Sequence, residues 1–261
     1  MSKFQLTRRV LLVQLIPIFM ACNSANKSIP ETFNANHYIS TFDSCFREGI
    51  LRAWYPTAID STDGGYLSNL SYNWEAGTRQ PKMLVTQSRH VWTSSQAALF
   101  YGDTAYTRYA RHGIRFLVNQ MWDNTYGGFF NLRSKEGGFI DESYKNEKRA
   151  YGNTFAIYGL VSWYNLTKDT TALGYARRTF LWLDKHSHDK EYGGYVDAMD
   201  QKGNWIRDKQ GSAWKDYNST IHLLEAFTEL YKVWPDTLVK TRLNELLVIV
   251  RDAFVNPRWL P

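Results

Sequence analysis

The stretch "YGGFF", residues 126–130, has an earlier counterpart in "DGGY" at 63–66 and a later one in "YGGY" at 192–195. The second glycines stand at 65, 128 and 194, a period of about 66 residues. Asp-Thr pairs beginning at 103, 169 and 236 keep the same spacing, so two independent series mark one structural repeat. A Gly-Gly-aromatic stretch suits a tight turn or short hairpin that needs positive φ.

Between the markers, apolar spacing predicts helices of two chemical kinds. Segments near 86–101, 150–166 and 216–232 contain "TSSQAALFYG", "TFAIYGLVSWY" and "IHLLEAF", with few charges, and read as inner helices buried on most sides. Segments near 104–121, 170–186 and 237–254 set Arg108, Arg111 and Arg115, then Arg177, Arg178 and Lys185, then Lys240, Glu245 and Asp252 on one face. These read as amphipathic outer helices. Asp103, Asp169 and Asp236 stand where a short carboxylate caps the first amides of each outer helix. With one more helix near 37–54, the expectation is an all-α chain of about seven helices, four outer and three inner. They would be arranged as a toroid of helical hairpins, an α/α barrel. An open helical solenoid buries the same faces and stays an alternative.

Residues 1–21 read as an export signal: Lys3, Arg8 and Arg9 precede the apolar run "VLLVQLIPIFMA", which is too short to span a bilayer. Cys22 follows Ala21, as in bacterial lipoprotein signals whose cysteine is lipidated; an ordinary secretory signal cut near Ala21 is the alternative. Polar residues 22–35 suit a flexible tether, leaving 36–261 as the folded domain. The expected location is therefore the cell envelope, with membrane contact only through a lipid anchor. Three of the 31 basic residues lie in the leader, leaving 28 against 25 acidic ones, a balance that argues against a nucleic-acid partner. Beyond Cys22 the only cysteine is Cys45, so no disulfide framework is expected. His186 and His188 are read as lying in a turn with no evident carboxylate or cysteine partner, so no metal site is assigned. Ten Trp, 17 Tyr and 14 Phe supply core, and also the natural platforms for sugar rings.

Counted from the second glycines, Arg89 lies 24 residues on, Tyr151 lies 23 and Asn218 lies 24, so three polar side chains share one register. That register falls at the N-terminal mouth of the inner helices, where free amides and the helix dipole favour electron-rich ligands. His222, four residues after Asn218, falls one turn further along the same face. Each residue has a bland alternative: an ion-pair arginine, a core tyrosine, a helix-starting asparagine, a satisfied core histidine. Structural need would repeat similar residues at equivalent positions, whereas these differ yet stay polar.

The stretches "KMLVTQSRHVWTSSQAALFYGDTAYTRYARHGIRFLVNQMWDNTYGGFF" (82–130), "RAYGNTFAIYGL" (149–160) and "NSTIHLLEAFTELYKVWPD" (218–236) resemble the N-acylglucosamine 2-epimerase and cellobiose 2-epimerase family. The likeness runs from about residue 36 to residue 256. It implies an (α/α)6 barrel acting on a free aldose, by epimerisation at C2 or aldose–ketose isomerisation, with no metal or redox cofactor. It also implies that Arg89 is the active-site arginine and Tyr151 the sugar-contacting tyrosine. Asn218 and His222 match the Asn and second His of an Asn-Thr-His-Leu-His motif, whose first His is Thr220 here.

Those residue types suit the chemistry. Taking a proton from carbon beside a carbonyl needs a base that is neutral near physiological pH, and imidazole is one. The enediolate that forms puts negative charge on oxygen, where an arginine supplies paired donors. His222 is therefore the expected acid/base and Arg89 the expected oxyanion stabiliser, with Asn218 and Tyr151 holding sugar hydroxyls.

Six hairpins at this period need about 400 residues, whereas 240 of the 261 residues follow the leader. The expectation is an incomplete toroid of about three and a half hairpins, C-terminally incomplete. The family's further catalytic histidines, one in a His-x-x-Glu pattern, would then fall beyond Pro261, and an oligomer or a completing chain is an open possibility. Two other readings remain: an α/α-barrel glycoside hydrolase, which needs two positioned carboxyl groups, and a non-catalytic carbohydrate-binding lipoprotein. Asp216 is expected to start its helix and Glu225 to lie deeper.

Overall fold

The computed structural model describes residues 34–138, 146–211 and 213–255. Residues 1–21 and Cys22, on which the leader and the lipidation reading rest, lie outside the described residues. The chain divides into two compact units, one up to Cys45 and one from Phe46 onward. In the first, α1 (Ala35–Ser44) is capped by Asn34, whose side chain accepts the His37 N–H at 3.2 Å. In the second, a single helical turn, Arg52–Trp54, follows directly on the π-helical turns that end at Leu51. The segment near 37–54 is thus not uniform α-helix; the wider turns precede Leu51 and Tyr55, both of which enter the core.

Six further helices follow as three hairpins: α2 (Leu84–Tyr101) with α3 (Thr104–Phe116), α4 (Ala150–Thr167) with α5 (Thr170–His186), and α6 (Tyr217–Val233) with α7 (Thr237–Ile249). Leu117–Met121 and Val250–Phe254 extend α3 and α7 as π-helical turns. The outer helices begin as their sequences require: the amides of Ala105, Thr171 and Leu238 donate to the Asp103, Asp169 and Asp236 carboxylates at 2.8, 2.9 and 2.8 Å. No charged residue occurs in α4, and it packs between α2 and α6. Where α2 meets α4 the backbones nearly touch. A Cβ on Gly159 would lie 2.8 Å from the Ser88 carbonyl oxygen. Four two-residue strands tie the hairpins in sequence, β1 (Lys82–Met83) to β2 (Leu132–Arg133) and β3 (Lys148–Arg149) to β4 (Ala198–Met199), both antiparallel. β1 leads straight into α2 and β3 into α4. The result is an all-α fold of the (α/α)6-barrel kind, present among the described residues as an arc of three hairpins.

Each Gly-Gly turn is stapled to the start of the following inner helix by one lysine. Lys82 Nζ donates to Asp60 Oδ2 at 2.7 Å and to the Tyr66 carbonyl at 3.0 Å. Lys148 Nζ reaches Asp123 Oδ2 at 2.7 Å and the Gly127 carbonyl, and Lys215 Nζ reaches Asp189 Oδ2 at 2.5 Å and the Gly193 carbonyl. The other oxygen of each aspartate accepts amides inside its turn: Thr62 and Asp63, Thr125 and Tyr126, Glu191 and Tyr192. Burial works against the Asp60 and Asp123 carboxylates, but the turn amides and the lysines more than offset it and hold both below their ordinary pKa. Both glycines of the second turn have positive φ, 74° and 72°, and a Cβ on Gly128 would meet the Trp182 ring at 2.8 Å.

The third turn is held by an additional group. Glu245, expected on a solvated outer face, instead accepts the Gly194 N–H at 2.7 Å, lies 2.9 Å from His188 Nε2, and receives Arg242 at 3.1 Å. His188 therefore has a carboxylate partner, invisible in the sequence because 57 residues separate the two. His186 is the last residue of α5 and not part of the turn.

Lys82 and Lys148 are fully buried, so removing either partner strands a charge. Asp123→Ala is expected to cost about 3–5 kcal/mol of unfolding free energy by urea titration. Asp189→Ala should cost clearly less, because Lys215 keeps 30% of its surface in water; equal losses would contradict this account of the staple.

A second stability term comes from His90. Its ring stacks on Tyr66 at 4.5 Å, and the Tyr55 hydroxyl lies 2.9 Å from Nδ1. Burial pulls its pKa from the ordinary 6.5 down to about 4. Between those values the unfolded chain takes up a proton that the folded chain refuses, so stability falls as pH drops from 6.5 to 4 and this contribution is flat outside that window. The loss amounts to about 3 kcal/mol. Replacing His90 with Phe should flatten the pH dependence of urea midpoints over that range, whatever its effect at pH 7.

Candidate active site

The inner helices reveal their common geometry when counted from their own first residues. Arg89, Phe155 and His222 are each the sixth residue of α2, α4 and α6, and Trp92, Tyr158 and Glu225 each the ninth. All six line one cavity of about 370 Å³, together with Ser88 and Thr93. Because the three helices lie side by side, equal depth along each brings these side chains to one place.

The first layer is a chain of ring contacts. The Arg89 guanidinium carbon lies 4.6 Å from the centre of the Phe155 ring, and that ring lies 4.8 Å from the His222 ring. Among the described residues, no carboxylate stands within ion-pair distance of Arg89, whose side chain is exposed to the cavity. His222 is fixed from two sides. Its Nδ1 is 2.7 Å from Glu225 Oε2, and the Tyr151 ring meets it edge-on at 5.6 Å. In the second layer Trp92 and Tyr158 stack nearly parallel, 5.6 Å apart, as an aromatic wall. Burial raises the Tyr158 phenol above its ordinary value, and Glu229 and Glu225 add to the effect.

The starts of α4 and α6 are tied together by Asp197. Its Oδ1 accepts the Tyr151 amide at 3.0 Å and the Ser219 hydroxyl at 3.3 Å, its Oδ2 accepts from Arg149 at 2.9 Å, and its carbonyl accepts the Ala150 amide at 2.8 Å. Asp216 caps α6 as expected, accepting the Ser219 amide at 2.8 Å. These bonds fix the helix carrying Tyr151 and Phe155 against the one carrying His222.

The structure therefore brings together Arg89, Tyr151 and His222, but not in the register counted from the glycines. The linker from the second glycine to the helix is shorter in the first repeat, so Arg89 sits one turn deeper than Tyr151 and Asn218. Tyr151 is the second residue of α4 and touches His222 from beside the cavity lining. Asn218 is exposed in the first turn of α6 and is not among the lining residues, although His222 follows it by one turn. Glu225, expected to lie deeper, is half-exposed and belongs to the cavity. Phe155, Trp92 and Tyr158 escaped the sequence reading, and Glu225 entered it only as a residue further along the helix, with no role assigned. The His-x-x-Glu spacing of 222 and 225 was the available signal for Glu225, since positions three apart share a helix face. Among the described residues no three His, Cys, Asp or Glu side chains gather as a metal site.

Comparison with known proteins places this architecture. A family model described as N-acylglucosamine 2-epimerase (GlcNAc 2-epimerase) matches residues 65–259. The chain is 34% identical over 203 residues to a cellobiose 2-epimerase of Ruminococcus albus, covering 76% of this chain and 51% of that protein. It is 31% identical over 212 residues to the cellobiose 2-epimerase of Bacteroides fragilis, covering 79% and 53% respectively. Among solved structures, the cellobiose 2-epimerase of Spirochaeta thermophila superposes with a TM-score of 0.75 at 28% identity, over 83% of this chain and 54% of that one. The chain thus spans about half the length of the curated relatives it matches. With the repeat, the three inner helices and the family model in agreement over the same residues, the chain belongs to the N-acylglucosamine 2-epimerase family.

Proposed function

We propose that this chain transfers a proton at C2 of a free sugar, as a carbohydrate epimerase or isomerase working through an enediolate. The observation that carries the reading is an imidazole and a guanidinium without a carboxylate partner in one aromatic-walled cavity. Glu225 as a carboxylate only accepts hydrogen bonds, so the proton on the His222 ring resides on Nδ1 and the lone pair on Nε2. That tautomer is a base, and the adjacent carboxylate stabilises the imidazolium that results when it takes the C2 proton. Arg89 presents donors to the oxygen that becomes negative as the carbon is deprotonated. Trp92 and Tyr158 offer ring faces for the apolar side of the sugar, and Tyr151 and Asn218 are assigned to hydroxyls at the entrance.

One base serves an aldose–ketose shift, in which the proton leaves C2 and returns to C1 on one face. Epimerisation needs a second donor on the opposite face, and among the described residues this cavity holds one imidazole. A glycosidase would need two carboxyl groups at the scissile bond, whereas the lining offers Glu225 alone, already bonded to His222.

The decisive measurement is exchange of the C2 proton into deuterated water, followed by NMR on glucose, mannose and cellobiose. His222→Asn and Arg89→Met are each expected to lower that exchange about 10²–10⁴-fold with the fold intact. Binding without any exchange in the unaltered chain would replace this reading with a non-catalytic sugar-binding protein.

The export reading is likewise a proposal: Cys22 carries lipid and holds the folded domain at the cell envelope through residues 22–35. Its support is the basic start, apolar run and cysteine order of residues 1–22. Cells fed a fatty-acid analogue should label the chain, and Cys22→Ser should abolish the label although Cys45 remains.

A further inference from the structure

The loop between the first Gly-Gly turn and β1 is a rigid, ornamented hairpin that the cavity described above does not use. Its base is locked by Gln80, 6% exposed, whose Oε1 accepts the amides of Ser68 and Asn69 at 2.8 and 3.0 Å. The same side chain's Nε2 donates to the carbonyls of Asn69 and Gly77 at 2.7 and 2.8 Å. The tip is closed by the Ser71 amide donating to the Glu75 carbonyl at 2.8 Å, while the Ser71 hydroxyl accepts the amides of Asn73 and Glu75. Within that frame Trp74 has φ +64°, a left-handed conformation that a bulky side chain rarely adopts. Strain of that kind persists only where surrounding bonds enforce it, and here they present an indole to solvent.

Trp74 meets Trp54 edge to face at 5.1 Å, and Trp54 in turn leans on the half-buried His90 at 5.5 Å. Both indoles remain more than a third exposed, and Tyr72 is 98% exposed. Together with Leu70, Ser71 and Asn73 they line a groove of about 610 Å³ that shares no residue with the Arg89–His222 cavity. Among the described residues the Asn73 side-chain carboxamide and the Tyr72 hydroxyl have no hydrogen-bond partner, so uncharged donors and acceptors border the aromatic faces.

We infer that this groove is a second carbohydrate-binding site, taking a gluco-configured β-linked oligosaccharide. A ring whose hydroxyls are all equatorial turns axial C–H bonds to both faces, which pack on an indole, while its edges need uncharged amide and hydroxyl partners. No lysine or arginine lines the groove, so it is not built for a phosphate or an acidic ligand. A preformed loop loses little freedom on binding, which suits a flat ligand of modest contact area. The site is independent of the proposed proton transfer, since it requires none of the residues assigned to that chemistry.

The test uses the full chain carrying Arg89→Met, so that failure of the catalytic reading does not enter. Its affinity for cellohexaose, measured by calorimetry, is expected to fall about tenfold or more when Trp74→Gly is added, because one stacking face is lost. Glycine tolerates the φ at 74 without strain, so the hairpin keeps its form. Tyr72→Ala, at a fully exposed tip, should weaken binding by a smaller factor. Absence of cellohexaose binding, or affinity unchanged by Trp74→Gly, would overturn the site. So would Trp74-dependent adsorption to phosphatidylcholine vesicles in place of glucan binding, which would make the aromatic cluster a membrane contact.

Discussion

Three lysine–aspartate contacts, each joining a Gly-Gly turn to the helix that follows it, are the constraint on which the rest of this structure depends. A turn with two residues at positive φ has little intrinsic preference for one direction. The aspartate organises the turn from inside by accepting its amides, and the lysine carries that order across to the start of the next inner helix. The first two pairs are fully out of water. Buried ion pairs are poor sources of net stability but demanding about geometry, because any arrangement that separates the partners leaves a charge in apolar surroundings. The pairs therefore act to specify where each hairpin begins.

From that fixed origin the cavity follows. Helices of matched start, packed as neighbours, bring the sixth and ninth residues of α2, α4 and α6 to one place, and the sequence is free to vary what stands there. Arg, Phe and His fill one level; Trp, Tyr and Glu fill the next. A guanidinium and an imidazole separated by a phenyl ring is a division of labour: the ring keeps the two heads apart without offering either a counter-ion. Asp197 then locks the α4 and α6 entrances, so the histidine and its aromatic neighbours do not shift independently.

Much of this was legible in the residues. Helix extents, the division into inner and outer helices, and the three aspartate caps follow from periodicity and from chemistry that acts within a few residues. What stayed hidden acts across the chain. Glu245 reads as one more charge on an amphipathic face, yet it serves a histidine 57 residues away. The aspartate–lysine staples, 22 to 26 residues apart, have no local signature that separates them from surface charges. The depth of Arg89 was misjudged because linker lengths between glycine and helix differ from repeat to repeat, and a count begun at the turn carries that difference into the site. Starting from the helix removes the error, but the helix start is set by β1 and β3, too short to be recognised from pattern alone.

The contact of Gly159 with the Ser88 carbonyl has a further consequence for the shape of the cavity. Ser88 precedes Arg89, and Gly159 follows Tyr158, so the two helices that carry those cavity side chains meet here backbone against backbone. Side chains relax by changing rotamer, whereas main chain held in two helices does not. The distance between α2 and α4 is therefore set by main chain, and the absence of a single methyl group at 159 is what lets these two walls stand so close.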